Sequence, residues 1–138
     1  MWPHVAVVTP NESEAAALTG VEVVDVASAA RAAAWFLDRG VGHALITLGS
    51  AGALSVTPEG TRHFPAYPVT PVDTTAAGDA FTGSLGAALA AGLDTATAIR
   101  RGMAAGALAT TLPGASPSLP DRKAVDELLD AVAEGAAR

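Results

Sequence analysis

The chain has no cysteine, which excludes a disulfide framework and any thiolate metal site. Aromatic residues make up only 4%, so a core has to be assembled from alanine, valine and leucine. Helices packed through alanine and glycine can approach closely, which suits layered α/β packing. Charged residues are scarce too, at 16%, against roughly a quarter in ordinary soluble domains. With so much alanine, this implies surface that further protein normally covers. Basic residues are outnumbered 8 to 14, for a formal net charge of −6. An electrostatic footprint for a phosphate backbone is therefore lacking, and no nucleic-acid partner is expected. No apolar run reaches the ~18 residues of a membrane span. The opening Met1-Trp2-Pro3-His4 has neither the basic start nor the apolar stretch of a secretory signal. The expectation is a soluble, cytoplasmic chain with no membrane partner. What is present is 138 residues, half of them hydrophobic. That is the size of one domain and too apolar for a disordered tail.

Residues 4–9 (HVAVVT) are a short β-branched run halted by Pro10, the pattern of a strand buried on both faces. Asn11 is the expected N-cap of a helix that has Glu12 and Glu14 in its first turn and stops at Gly20. Residues 21–27 are rich in β-formers, and residues 28–39 are alanine-rich, helical and closed by Gly40. Residues 43–48 (HALITL) read as a second buried strand ended by Gly49. Residues 53–57 and 61–65 pair as a hairpin around Pro58, Glu59 and Gly60. From residue 73 a polar, small-residue loop runs into a helix with Phe81, Leu85 and Leu89 on one face, ended by Gly92. A helix over residues 95–109 puts Ile99, Met103 and Ala107 in register. Residues 112–120 form a Pro/Gly/Ser loop. The last helix has Pro120 near its first turn, a stripe of Val125, Leu128, Leu129 and Val132, and Gly135 past its end. Strands alternating with helices predict an α/β fold with a mostly parallel sheet flanked by helices. Ligands in such sheets sit outside the carboxyl ends of the strands. The loop at Pro10 and Asn11 and the turn at residues 49–52 are therefore candidate sites. No repeat or linker divides the chain.

The stretch that carries chemistry is residues 73–81 (DTTAAGDAF). Ala76, Ala77 and Gly78 stand just before a helix, whose first N–H groups have no intrahelical partners. With the helix dipole they form an anion site. Small side chains let a phosphate reach that backbone, and Gly78 adds conformational freedom. A carboxylate at Asp79 would repel the phosphate unless it had a proton to collect. That makes Asp79 a candidate general base for a hydroxyl attacking the phosphate. The plainer alternative is an acid decorating a helix N-terminus.

This nonapeptide resembles the C-terminal signature of the ribokinase family of ATP-dependent sugar kinases, the phosphofructokinase-B type. Residues 9–14 (TPNESE), 47–52 (TLGSAG) and 114–120 (GASPSLP) agree with the family in order and spacing. The Ala-Ala-Gly loop and the 114–120 segment are most similar to its ribokinase branch. The resemblance covers the C-terminal part of a family member, so residues 1–138 are expected to be its nucleotide-binding and catalytic-loop part. The family's glycine-rich sugar-recognition segment and β-sheet lid are not among them.

The resemblance implies a role for each matching residue. Asp79 would deprotonate the sugar hydroxyl, and Ala76, Ala77 and Gly78 would be the anion hole. Asn11 and Glu14 match a motif that places nucleotide phosphates and Mg²⁺, although Asn with Glu three residues on is also a capping box. Thr47, Gly49, Ser50 and Gly52 match a nucleotide-binding loop. Met103 stands where family members often carry His or Asn near the adenine. Met can pack on a ring but cannot replace those hydrogen bonds, and core packing is its alternative reading. A K⁺ site is implied at Asp73, Thr75, Ala109, Leu112, Gly114 and Ser118, with Asp73 and Ser118 using side chains. The alternatives are a turn carboxylate for Asp73 and a helix cap for Ser118. His4, His43 and His63 share no metal-ligand spacing, and Trp2 and Trp35 read as packing residues.

The implied activity is ATP-dependent phosphorylation of a sugar, ribose first, with sugar and ATP as small-molecule partners and homo-oligomerisation possible. Its rivals are a kinase for another small carbohydrate or nucleoside, and a non-catalytic nucleotide-binding remnant. A dinucleotide oxidoreductase fits poorly, because no G-x-G-x-x-G follows the first strand.

Overall fold

The computed structural model describes residues 1–113 and 120–136. They fall into two units, Met1–Ala66 and Tyr67–Arg138. The first is built on a four-stranded sheet in the spatial order β1 (Val7–Val8), β2 (His43–Thr47), β3 (Ala53–Thr57), β4 (Gly60–Phe64). Helices α1 (Glu12–Thr19) and α2 (Val26–Leu37) separate β1 from β2 in sequence. That crossover lets the two strands pair in parallel, with Val7 opposite His43. The other pairs are antiparallel, with Leu45 opposite Ser55 and Val56 opposite Thr61. The sheet is therefore mixed, where the helix–strand alternation had predicted a mostly parallel one. The physical reason is the connection after β2: a tight turn over Gly49–Ala51 can only return the chain antiparallel.

The core of this unit sets Ala29, Ala32 and Ala33 of α2, with Phe36, against Ile46 and Leu54 of the sheet. Trp2, Trp35 and Phe36 meet edge to face with ring centroids 5.3–5.7 Å apart, so both tryptophans are packing residues. The expectation of a buried strand over residues 4–9 fails here. The 4–9 run shrinks to a two-residue strand, preceded by a 3-10 turn over Trp2–His4. β1 is half-buried because it has a sheet neighbour on one side only. The β-rich 21–27 stretch is no strand. Ser28 Oγ accepts the N–H groups of Val24 and Asp25, while Asp25 accepts Ser28 N–H. These bonds start α2 at Val26 instead of feeding a ladder.

The second unit is helical: α3 (Ala77–Ala90), α4 (Thr95–Ala109) and α5 (Arg122–Ala136). Asp94 caps α4 by accepting Thr97 N–H at 2.9 Å. Val125 of α5 packs with Ala80, Ala104, Ala105 and Ala109, and Arg101 reaches Asp126 at 2.5 Å. On α3, Phe81 and Leu85 are buried as expected, but Leu89 is 38% exposed and Ala88 takes its place. A step of eight residues falls about 80° off the starting direction, whereas a step of seven falls only about 20° off. Gly135 lies inside α5 rather than past its end; its neighbours Glu134 and Ala136 are both good helix formers and favour continuing the helix. Exposed apolar residues remain on both units, among them Leu18 at 50% and Val24 at 74% in the first and Val72 and Leu112 in the second. That agrees with a charge-poor surface. Among the described residues no helix is long and apolar enough to cross a membrane.

Candidate active site

In the first unit the site residues gather where β1 and β2 end. Asn11 bridges Thr47, the last residue of β2, and Thr47 N–H donates to the Pro10 carbonyl at 3.0 Å. The two sequence-predicted loops are thus joined at the carboxyl ends of the parallel pair. Asn11 and Glu14 form a reciprocal capping box. The Asn11 side chain accepts Glu14 N–H at 2.9 Å, and Glu14 Oε2 accepts Asn11 N–H at 2.9 Å. The capping reading is therefore realised, and both side chains stay exposed. Beside Glu14 opens a hollow of about 260 Å³ lined by Val8, Thr9, Pro10, Glu14 and Leu18.

The turn after β2 needs its glycines. Gly49 has φ 53° and Gly52 has φ 94°, conformations that side chains resist. A Cβ on Gly52 would also lie 1.9 Å from the Phe64 carbonyl oxygen. A ring nitrogen of His63 bonds the Ala51 carbonyl at 2.6 Å, which ties the turn to β4 and leaves Ser50 exposed. His43 is structural as well. It crosses to Ser55 Oγ at 2.8 Å, and burial pushes its imidazole below the usual pKa.

In the second unit the 73–81 segment is held at both ends. The Thr110 carbonyl accepts N–H from Val72 at 2.6 Å and from Asp73 at 2.9 Å. This lays Asp73 against the end of α4, beside Ala109. Asp73 Oδ1 accepts Thr75 N–H at 2.8 Å and also the Thr75 hydroxyl, closing an Asx turn. Among the described residues no donor reaches the Ala109 carbonyl, and Leu112 is exposed. Gly114 and Ser118 lie outside the described residues. Met103 is buried within α4 at 9% exposure.

At the far end Ala76 is the N-cap of α3 and offers no side-chain cap. Ala77 N–H is held by the Thr74 carbonyl at 3.2 Å, whereas the N–H groups of Gly78 and Asp79 have no acceptor among the described residues. Ala76 N–H likewise has no acceptor among the described residues, so of the three expected donors only that of Ala77 is engaged. Ala77 turns its donor inward, and Asp79 adds its own N–H, a donor that the small-residue pattern did not reveal. Gly78 has no positive φ and a Cβ there would meet nothing within 4 Å. Its expected conformational freedom is not used, and among the described residues no contact requires a glycine. The space beside Gly78 is open among the described residues, and free N–H groups at a helix start suit an anion. Asp79 is exposed on that first turn, while its neighbours Ala80 and Phe81 are buried and anchor it. Among the described residues no group of three His, Cys, Asp or Glu side chains could hold a metal. A cation would have to take backbone carbonyls, as Ala109 and Leu112 would provide.

The first unit carries strand-end loops joined at its parallel pair, and the second an uncapped helix start beside a carboxylate, within an α/β chain. The sequence profile described as pfkB family carbohydrate kinase matches residues 1–122, and the chain belongs to that family. Ribokinase from Haemophilus influenzae is 43% identical over 124 residues, covering 90% of this chain and 40% of that protein. The Thermotoga maritima ribokinase structure superposes with TM-score 0.86 at 38% identity, covering 94% of this chain and 43% of that one. Arabidopsis thaliana ribokinase, solved with ribose and ATP, gives TM-score 0.86 at 33% identity, covering 93% and 42%. The chain therefore spans about two fifths of the length of the relatives it matches.

Proposed function

We propose that residues 1–138 are the nucleotide-binding and catalytic-loop part of a cytoplasmic, ATP-dependent sugar kinase, with D-ribose as the acceptor and ribose 5-phosphate as the product. The observation that carries this reading is the pair of unpaired N–H groups at Gly78 and Asp79 beside the Asp79 carboxylate. The Asp79 carboxylate takes the proton of the sugar hydroxyl. The freed oxygen bonds to the γ-phosphorus of ATP as the bond to the β,γ-bridging oxygen breaks, and ADP leaves. The N–H groups of Gly78 and Asp79 meet the charge on the transferring phosphoryl group. Asn11, Thr47, Gly49, Ser50 and Gly52 bind the nucleotide. Met103 contributes to the adenine side by packing alone. Glu14 would help hold Mg²⁺, which would neutralise phosphate charge. Asp73, Thr75 and the carbonyls of Ala109 and Leu112, with Gly114 and Ser118, hold K⁺.

Ribokinase relatives of up to 43% identity support the choice of ribose. Calorimetric titration of the chain with a non-hydrolysable ATP analogue and Mg²⁺ tests the reading. Weak binding, improved by the metal, is the expected outcome. The absence of both heat and a thermal shift at millimolar ligand would contradict it.

A further inference from the structure

We propose that Gly102 and Gly106 of α4 are positioning residues for the N–H cradle at the start of α3, acting through the side chains they lack. The inference rests on the reading of that helix start as a phosphate site. Positions 102, 106 and 110 recur every four residues and so lie along one face of α4. Each meets the 73–81 segment at a different point. The Thr110 carbonyl takes the N–H groups of Val72 and Asp73. A Cβ on Gly106 would lie 3.1 Å from the Ala77 carbonyl oxygen and 3.5 Å from the Phe81 Cβ. A Cβ on Gly102 would lie 3.0 Å from the Phe81 carbonyl oxygen and 3.3 Å from its ring. Ala77 and Phe81 bracket Gly78 and Asp79 on the same helix. One face of α4 therefore sets both where the loop enters and where its two free donors stand.

The closest contacts fall on backbone oxygens, which no change of rotamer can move aside. A methyl group at residue 106 or 102 has to push the first turn of α3 away by some tenths of an ångström. Donors to a transferring phosphoryl group act only within a narrow distance range, so that shift falls on the function. The α3 glycines make the contrast: a Cβ on Gly83 or Gly86 would meet nothing within 4 Å. Glycine is the least favourable helix-interior residue after proline. In a helix that uses alanine at six of its fifteen positions, the α4 glycine pair answers to the close approach of α3.

The test is amide NMR of the ¹⁵N-labelled chain, as wild type, Gly106→Ala and Gly86→Ala. Each is titrated with a non-hydrolysable ATP analogue and Mg²⁺. In the free protein, Gly106→Ala should displace the Gly78 and Asp79 resonances while leaving those of Ile46 and Leu54 in the first unit unmoved. It should also reduce their response to the analogue severalfold. Gly86→Ala should do neither. A folded Gly106→Ala chain whose Gly78 and Asp79 resonances match the wild type overturns the inference. Should that variant fail to fold, the wild type still decides. Cross-peaks from Gly106 Hα to Phe81 Hβ and from Gly102 Hα to the Phe81 ring are expected, and their absence overturns the proposed seat. If the wild-type Gly78 and Asp79 amides ignore the analogue, the phosphate reading fails. The displacement in the ligand-free variant then still decides whether α4 sets the position of the donors.

Discussion

Asp79 differs from an ordinary acid at a helix start in what surrounds it: among the described residues no side chain caps α3, and its own N–H and that of Gly78 have no acceptor. The pattern of small residues pointed to the loop, but the identity of the free donors depends on how the turn closes. The Thr74 carbonyl captures Ala77 N–H, and no sequence rule marks that. Another single residue controls a pH response. The His43 imidazole is pushed down by burial, so the folded protein favours its neutral form. The unfolded chain binds the proton near pH 6.5. Between that value and the lowered folded value the unfolded state holds more protons, so stability falls as pH falls. Thermal melts from pH 7.5 to 5.5 should show a declining midpoint. His43→Gln should flatten that decline, and an unchanged slope in the variant would contradict the assignment.

At the scale of elements, the capping residues were the most legible feature. Asn11 with Glu14 forms the predicted capping box, and Gly20 closes α1 with φ 75°. Helix α4 runs over the predicted residues 95–109. Asn11→Ala should lower stability by about 1 kcal/mol, measured by urea unfolding, and should also loosen the bridge to Thr47. A loss near zero would mean that α1 is held by its core contact at Ala15 alone. Where the elements depart from the sequence reading, sheet position, local hydrogen bonding or helix phase explains it. Val7 and Val8 have the composition of a buried strand but sit at a sheet edge. Residues 21–27 are rich in β-formers, but the N–H groups of Val24 and Asp25 go to Ser28 and that of Val21 to Thr19. Leu89 is more apolar than Ala88 but points the wrong way around α3. For the 73–81 loop, K⁺ should tighten nucleotide binding, because a cation at Asp73 and the Ala109 carbonyl would neutralise the carboxylate beside the free N–H groups. Titrations in K⁺ and in tetramethylammonium at equal ionic strength check this, and equal affinities would contradict it.

At the scale of the whole molecule, the chain spans about two fifths of its relatives, and its exposed Leu18, Val24, Val72 and Leu112 match the charge-poor composition. Family membership could be read from four ordered segments. The separation of the chain into two compact units could not, because local pattern carries no information on which helices share a core. By the proposed function, a base acts only on a hydroxyl held in line with the γ-phosphate. The isolated chain should therefore turn ribose over very slowly or not at all. The most direct measurement joins residues 1–138 to the N-terminal part of the Haemophilus influenzae relative and follows ribose phosphorylation with a coupled ADP assay. The account predicts ribose-dependent turnover, with kcat lowered by about 10²–10⁴ in Asp79→Asn and a smaller effect on ATP binding. A joined protein that phosphorylates ribose equally well with asparagine at residue 79 would contradict it.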